Sequence, residues 1–300
     1  MSDQKERFDV YRAVTERIAA AIKAGTDAFI MPWHSSGAGI TRPENAYTRM
    51  AYHGINVVAL WAEAYLSQYP SGYWASYKQW QKAGAQVRKG EHGATVVFYK
   101  RLDMEDEGDS GEDSPSQARL VARASRVFNA AQVDGWQLPQ PRVEASPAEA
   151  NASVTAFVKA TEATIVHGAS GAWYDVARDL IAMPALEAFI GSPTSTPSEA
   201  YQATLLHELV HWTGAGYRLD RGLANLSRSA LAREELVAEI GAAFLCADLG
   251  VTNEPRPDHA AYVANWLQIL RDDARALFTA SRLASQAANY LHDLTAQLSQ

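Results

Sequence analysis

The sequence predicts an α+β protein of two domains, an N-terminal mixed α/β domain and a mainly helical C-terminal domain with a small sheet. The 300 residues, 47% of them hydrophobic, suffice for two ordinary cores. Prolines cluster at residues 138–152, where hydrophobic periodicity stops. A pair of strand patterns lies before this segment, and the strongest helical patterns lie after it. We therefore expect a first domain at 1–137, a linker at 138–152 and a second domain at 153–300.

The first domain is expected to begin with helices and to end with paired strands. Helical patterns occur at about 5–24, 53–67 and 75–83. The stretches "GATVVFYKRL" and "RLVARASRVFNAAQ" are apolar and β-rich, so they predict two strands. Residues 104–118 lie between them, are acidic and lack aromatic residues, which predicts a long flexible loop.

The second domain is expected to open with a helix at about 150–161. Short strands are predicted in "IVHG" and "AWYDVARDLIAMP". Strong helical patterns follow in "SEAYQATLLHELVHWTG" and "AREELVAEIGAAFLCADLG", and two further helices with apolar stripes fill residues 257–298.

Composition predicts a cytoplasmic protein that does not associate with a membrane. No apolar run approaches the roughly 20 residues that a membrane-spanning helix needs, and the charged N-terminal segment lacks the apolar core of a secretory signal. The single cysteine, Cys246, excludes an internal disulfide and suits a reducing compartment. The net charge is −7, yet residues 1–100 carry 12 lysines and arginines against 8 acidic residues, which permits a polyanionic partner for the first domain.

The pattern "HELVH" predicts a metal site on a helix. His207 and His211 are four residues apart, so they stand on one helical face and can bind one ion together. Glu208, one step round the helix, can reach a water molecule on that ion. Because this short pattern also occurs by chance, it needs a third ligand at a sensible spacing.

A second helical stretch, "REELVAEIGAAF", supplies that ligand. Glu235 would complete a set of two histidines and one glutamate, with a fourth position left for water. Glu239, one turn further, would accept the spare N–H of one histidine. Two alternatives stay open: Glu239 is the ligand and Glu235 lies outside, or these glutamates with Glu234 form a solvated helix face.

Three protein ligands and an open position are typical of a catalytic site, since structural zinc sites usually have four protein ligands. The expected chemistry is metal-dependent hydrolysis with Glu208 as the catalytic base, as in a gluzincin-like metallopeptidase. Zn²⁺ suits this donor set, and Mn²⁺ or another divalent metal can also occupy it. The strand before the metal helix would bind an extended peptide by edge pairing, or would be a plain core strand. Tyr217 and Arg218 are candidates for stabilising an oxyanion.

Both halves of the chain resemble one family. "YQATLLHELVHWTGAGYRLDR" and "AREELVAEIGAAFLCADLG" resemble the zincin-like metallopeptidase domain of ArdC-type antirestriction proteins. "PENAYTRMAYHGINVVALW" and "YWASYKQWQKAGAQVRKGEHGATVVFYK" resemble that family's N-terminal domain, which binds single-stranded DNA. The resemblance covers nearly the whole chain and implies a plasmid-encoded protein that protects incoming conjugative DNA from host restriction. It also implies His207, His211 and Glu235 as metal ligands and Glu208 as the base.

The resemblance implies single-stranded DNA as a partner, and the first domain has suitable residues. Single strands bind aromatic platforms and cations along the phosphates. The candidates for these contacts are Trp33, Tyr47, Arg49, Tyr52, Trp74, Lys78, Arg88 and Lys89. The alternative is a core stripe, because Tyr73, Tyr77 and Trp80 share one face at helical spacing.

Three functions remain open at this point. The first is a DNA-binding antirestriction protein with a metallopeptidase domain, for which a host restriction enzyme is a further possible partner. The second is a zinc-dependent protease whose first domain recruits protein substrates. The third is a protein whose metal only stabilises the fold.

Overall fold

The computed structural model describes residues 9–25, 41–102, 119–137, 147–191, 195–252 and 259–297. Helices within these ranges are α1 Val10–Gly25, α2 Ile55–Ser67, α3 Tyr77–Lys82, α4 Pro147–Ala160, α5 Pro197–Trp212, α6 Arg228–Leu249, α7 His259–Asp272 and α8 Ala276–Gln297. Strands are β1 Glu44–Asn45, β2 Tyr73–Ala75, β3 Gln86–Val87, β4 Ala94–Leu102, β5 Arg119–Asn129, β6 Val133–Asp134, β7 Thr164–His167, β8 Trp173–Asp175 and β9 Leu180–Met183. The predicted α+β class is confirmed.

The first sheet contains the predicted strand pair. β4 and β5 are antiparallel from Ala94 opposite Val127 to Leu102 opposite Arg119. The sheet order is β1-β2-β5-β4, and β3 and β6 form a separate pair. The short strands β1, β2, β3 and β6 were not predicted. The acidic segment 104–118 lies outside the described residues, so its loop character stays a prediction.

Helix α2 is held on this sheet by one asparagine. The side chain of Asn56 donates to the carbonyl of Val97 and accepts from its amide, both at 2.7 Å. The amide side chain therefore pairs with β4 as a neighbouring peptide would. Leu60 and Trp74 close the apolar layer between the helix and the sheet.

The second sheet lies beside α5. Its order is β7-β9-β8, with β7 parallel and β8 antiparallel to the central strand β9. Ile181 and Met183 of β9 are fully buried and share one core with Leu206 of α5. β8 is consequently an edge strand close to the helix that carries both histidines.

The two halves of the chain share a core. The buried cluster that includes Ile18 of α1 also includes Leu277 of α8. Thr15 Oγ1 donates to the carbonyl of Ala274 at 2.8 Å. Arg42 forms an ion pair with Asp248, with Nε–Oδ1 and Nη2–Oδ2 distances of 2.7 and 2.8 Å. The first half is thus packed firmly against α6, α7 and α8.

The predicted linker needs a correction. Helix α4 begins at Pro147, so the last residues of the segment 138–152 are helical rather than irregular. Proline fits this position because the first turn of a helix needs no amide donor. Residues 138–146 lie outside the described ranges.

Among the helices within the described ranges, not one has the length and apolarity required to cross a lipid bilayer.

Candidate metal centre

Helix α5, which carries both histidines, has a well-defined start. Thr196 caps it: its Oγ1 accepts from the Glu199 amide at 3.2 Å, and the Glu199 carboxylate accepts from the Thr196 amide at 2.8 Å. Pro197 occupies the first helical position, which its fixed φ favours. Buried leucines on the opposite face, Leu205, Leu206 and Leu209, fix the rotation of the helix about its axis.

The imidazoles of His207 and His211 approach each other through their Nε2 atoms, one helical turn apart. The Nε2 atoms of His207 and His211 are 3.1 Å apart, and the ring planes are inclined at 77°. His207 is 2% exposed. Two nitrogen lone pairs at this distance repel each other unless a proton or a cation lies between them.

Helix α6 supplies the third donor. The carboxylate of Glu235 lies 3.5 Å from Nε2 of His207 and 3.6 Å from Nε2 of His211. The ligand atoms of these three residues all lie within 4.8 Å of one another. A tetrahedral ion with bonds of about 2.0–2.1 Å separates its donors by about 3.3 Å. The donor set therefore fits Zn²⁺ or a similar divalent cation.

Two further carboxylates of α6 lie near the Nδ1 atoms of the two histidines. Glu239 Oε2 lies 3.5 Å from Nδ1 of His207, on the ring edge away from the other imidazole, so its role as acceptor of that N–H stays a prediction. Glu234 Oε1 lies 3.0 Å from Nδ1 of His211. The role of Glu234 was not predicted. Consecutive helical residues point in different directions, so Glu234 and Glu235 approach opposite edges of the His211 ring.

Arg221 holds Glu234 in place. Its guanidinium donates to both carboxylate oxygens, at 3.0 and 2.8 Å, to Thr213 Oγ1 at 2.8 Å and to the carbonyl of Val210 at 2.6 Å. Burial raises the pKa of Glu234, but hydrogen bonds from His211 and Arg221 outweigh it and lower the pKa below its usual value. Glu234 is therefore an anion that accepts a hydrogen bond from Nδ1–H of His211.

Glu208 belongs to the same cavity. This open cavity of about 480 Å³ is lined by His207, Glu208, His211 and Glu235 together with residues of β8 and of the segment after α5. Glu208 is 5% exposed. A carboxylate that lines the same cavity as the donor set is suitably placed to move a proton to or from a bound water.

The turn between β8 and β9 is joined to the segment after α5 by an ion pair. Arg218 donates to both oxygens of Asp179 at 2.8 Å, and its guanidinium stacks 3.4 Å from the ring centroid of Trp212. Tyr174 of β8 also donates to Asp179, at 2.8 Å. Neither Arg218 nor the exposed Tyr217 lines the cavity, so the structure does not place them as oxyanion stabilisers.

The structure divides the candidate DNA-binding residues of the first half. Trp74 is 1% exposed, so its assignment to DNA binding was wrong: the ring packs in the core under α2. Tyr52 is half-buried, and its hydroxyl lies 3.3 Å from Asn45 Nδ2 and 3.4 Å from the Trp74 carbonyl. Trp33 lies outside the described residues.

The remaining candidates are at the surface: Tyr47, Arg49, Lys78, Arg88 and Lys89. Two of the cations already have acidic neighbours, since Arg49 pairs with Glu44 at 2.7 Å and Arg88 with Glu91 at 2.8 Å.

Cations and rings meet in one place, which we call the aromatic–basic surface and define as Tyr47, Arg49, Tyr73 and Lys82. The Arg49 guanidinium lies 5.0 Å from the centroid of Tyr73, and Lys82 Nζ lies 6.0 Å from that of Tyr47. Tyr47 is 47% exposed. Of the helical stripe considered above, Trp80 is buried and Tyr77 is exposed, so the core alternative holds for only part of it.

Two family models match the chain. Residues 8–128 match the N-terminal domain of anti-restriction factor ArdC. Residues 152–283 match a zincin-like metallopeptidase. The second match includes both histidines and Glu235.

Related proteins span most of the chain. A protein of Sinorhizobium fredii, named uncharacterized protein y4eC, is 43% identical over 289 residues, which cover 95% of this chain and 92% of the relative. Two proteins of Escherichia coli named DNA primase TraC are 34% and 33% identical over 94% and 97% of this chain. The chain spans only 20% and 27% of the length of these primases.

Two solved structures have the same fold. Both are crystal structures of the antirestriction ArdC protein from the R388 plasmid. The metal-free form matches with a TM-score of 0.78 and 40% identity, covering 97% of this chain and 99% of that one. The Mn(II)-bound form matches with a TM-score of 0.77 and 37% identity, covering 96% and 99%. By domain content, full-length identity and fold, the chain belongs to the ArdC family of antirestriction proteins.

Proposed function

We propose that this protein is an antirestriction protein that binds single-stranded DNA and hydrolyses peptide bonds at a divalent-metal site. The observation that carries the enzymatic part is the convergence of His207, His211 and Glu235 in an open cavity that Glu208 also lines. The antirestriction part is supported by the likeness, over nearly the full length of both chains, to a protein named antirestriction ArdC.

A cation held by His207, His211 and Glu235 would supply a Lewis acid to a substrate carbonyl and to water. Glu208 takes the proton from that water and delivers it to the departing amine. The water oxygen bonds to the carbonyl carbon as its proton passes to Glu208, and the C–N bond breaks as Glu208 protonates the amine. The hydrogen bond between Glu234 and His211 keeps Nε2 of His211 toward the cavity. Glu239 lies 3.5 Å from Nδ1 of His207, on the far edge of that ring.

The edge strand β8 offers a place for the substrate backbone. It pairs with β9 on one side, and within the described ranges no strand pairs with its other edge. Three β8 and flanking side chains, those of Trp173, Tyr174 and Val176, line the cavity. An extended peptide that adds to this edge would therefore pass along the metal ligands.

Hydrolysis is tested with the full chain loaded with Zn²⁺ or Mn²⁺ and a mixture of denatured proteins. We expect Glu208→Gln to keep stoichiometric metal and to lose cleavage, while Glu187→Gln, an exposed glutamate outside the cavity, retains both. Hydrolysis that continues unchanged in Glu208→Gln removes Glu208 from the mechanism.

The DNA-binding part is supported by the aromatic–basic surface. Rings with a nearby cation bind bases by stacking and phosphates by charge. Such contacts tolerate any sequence and weaken as salt rises. Because the two halves share a core, deleting the first half would expose apolar surface of the second. Point variants therefore test the aromatic–basic surface better than a deletion does.

Anisotropy of a labelled single-stranded oligonucleotide gives the measurement. We expect binding at low salt that weakens as salt is added, and weaker binding by Lys82→Gln. Lys159→Gln, on helix α4, is the matched control and should bind as the parent does. Absence of binding at low salt would favour the protease whose first domain recruits protein substrates.

Transfer of unmodified DNA into a restricting host separates the two parts of the proposal. If DNA coating protects, Glu208→Gln retains protection and Lys82→Gln loses it. If proteolysis protects, the opposite pattern is expected. If both variants are expressed at parental levels and both still protect the DNA, both routes are contradicted.

A further inference from the structure

We propose that the metal cavity selects peptides with a bulky apolar residue beside the cleaved bond and disfavours acidic residues there. This inference rests on the proposed peptidase function and adds the substrate class. It follows from which side chains line the cavity, how exposed they are and how close they stand to the metal ligands.

Apart from the cation that its ligands would hold, the lining contributes no positive charge. Among the described residues that line the cavity, the charged ones are Glu208, Glu234 and Glu235. The other non-histidine lining residues are Ala172, Trp173, Tyr174, Val176, Leu223, Leu226 and Leu231. In the peptide complex the scissile carbonyl would occupy the cation, so an acidic side chain beside it would meet carboxylates and apolar surface, and neither stabilises a negative charge.

The apolar lining is open to solvent. Trp173 is 46% exposed, Val176 41% and Leu231 39%. Three large hydrophobic side chains around one cavity form a patch of the kind that marks a binding site. A substrate that covers them removes this apolar surface from water, which stabilises the complex.

These side chains come from three elements that surround the donor set. Trp173 belongs to the edge strand, and Leu223 and Leu226 to the segment between α5 and α6. Leu231 precedes Glu235 by one turn of α6, so both stand on the same helical face. A substrate residue next to the reacting carbonyl is therefore bordered by Leu231.

Binding of amino acid hydroxamates to the metal-loaded protein tests the preference without hydrolysis. The hydroxamate chelates a divalent cation, and the side chain samples the cavity. We expect calorimetry to show leucine and phenylalanine hydroxamates binding about tenfold more tightly than glycine hydroxamate, and aspartate hydroxamate more weakly than glycine. Equal binding of all four, or binding of none, overturns the inference.

A pair of exposed leucines provides the matched variants. Leu231→Ser should weaken leucine hydroxamate by about fivefold. Leu186→Ser changes a leucine that is 46% exposed but lies outside the cavity, and should leave that affinity unchanged. The same loss in both variants would show that the effect is not specific to the cavity and would count against the inference.

Cleavage of a mixed peptide library separates this inference from the proposed function. Cleavage at random positions contradicts the apolar preference and leaves the peptidase function standing. No cleavage of any peptide, together with tight binding of leucine hydroxamate, contradicts the peptidase function and supports the apolar cavity.

Discussion

The Nδ1 atom of His211 lies 3.0 Å from Oε1 of Glu234, while Nε2 on the opposite edge of the ring faces His207. An ionised carboxylate can only accept, so Nδ1 carries the proton and Nε2 keeps its lone pair for a cation. Arg221 completes this arrangement by binding both oxygens of Glu234.

Glu234→Gln should lower the affinity for Mn²⁺ or Zn²⁺ by about 10–100-fold, because a neutral amide accepts a weaker hydrogen bond from Nδ1–H and raises the basicity of Nε2 less than a carboxylate does. Titration calorimetry measures the affinity. Glu63→Gln is the control: it breaks an ion pair with Arg17 in the first half, so it should reduce stability and leave metal affinity unchanged. Parental affinity in Glu234→Gln contradicts the role given to this residue.

His207→Ala and His211→Ala should each abolish stoichiometric metal, because a single imidazole and one carboxylate make a weak site. Metal content after dialysis, measured by mass spectrometry, gives the result. His167→Ala is the control and should retain the metal. His167 belongs to β7, and its Nε2 lies 2.8 Å from the hydroxyl of Tyr201 on α5. Full metal content in His207→Ala would place the ion elsewhere.

The Asp179–Arg218 pair should make stability depend on pH in the acid range. The hydrogen bond from Arg218 lowers the pKa of Asp179 to about 2, below its unfolded value of 3.8. The stabilisation is therefore present above about pH 4 and is lost as the pH falls through 2. Because the Asp179 side chain is 36% exposed, we expect only about 1 kcal/mol.

Asp179→Asn isolates this effect, since asparagine tolerates the positive φ of 51° at this position. Urea unfolding at several pH values should give a stability difference between parent and variant above pH 4 that shrinks toward pH 2. A difference that does not change with pH would assign the effect to lost packing rather than to the carboxylate charge.

Trp74 and Tyr47 should respond oppositely to truncation. Trp74→Ala removes a fully buried ring and should lower the free energy of unfolding by about 3–5 kcal/mol. Tyr47→Ala should leave stability nearly unchanged and weaken single-stranded DNA binding by about tenfold, because Tyr47 is half-exposed. Denaturant unfolding and oligonucleotide anisotropy measure the two quantities. Unchanged DNA affinity in Tyr47→Ala would remove it from the binding surface.

Helical periodicity and motif spacing predicted the long helices, the β4–β5 pair and the residues that converge at the metal centre. These features are local, or follow from residues four apart on one helix face. The role of Glu234 beside His211 was not predicted, because its partner Arg221 lies in an irregular segment with no periodicity. Contacts between distant segments leave no local pattern in one sequence.

The aromatic residues show the same limit. Trp74 and Tyr47 have similar polar and basic neighbours in the sequence, yet only one is buried. Burial depends on β2, a three-residue strand whose place in the sheet is set by pairing with β5. Such a short strand carries too little alternation to be recognised in advance.

Gly241 should control the spacing of the two helices that carry the metal ligands. A Cβ atom at this position would lie 2.9 Å from both Cγ atoms of Val210, closer than van der Waals contact allows. Gly241→Ala should therefore force α6 away from α5, at a cost of about 1–3 kcal/mol in stability. Glu235 moves with α6, so metal affinity should fall together with the melting temperature.

Gly250→Ala is the control: it strains the end of the same helix at a φ of 70°, far from α5, and should reduce stability without reducing metal affinity. Equal metal affinity in both variants would show that the helix spacing does not position Glu235.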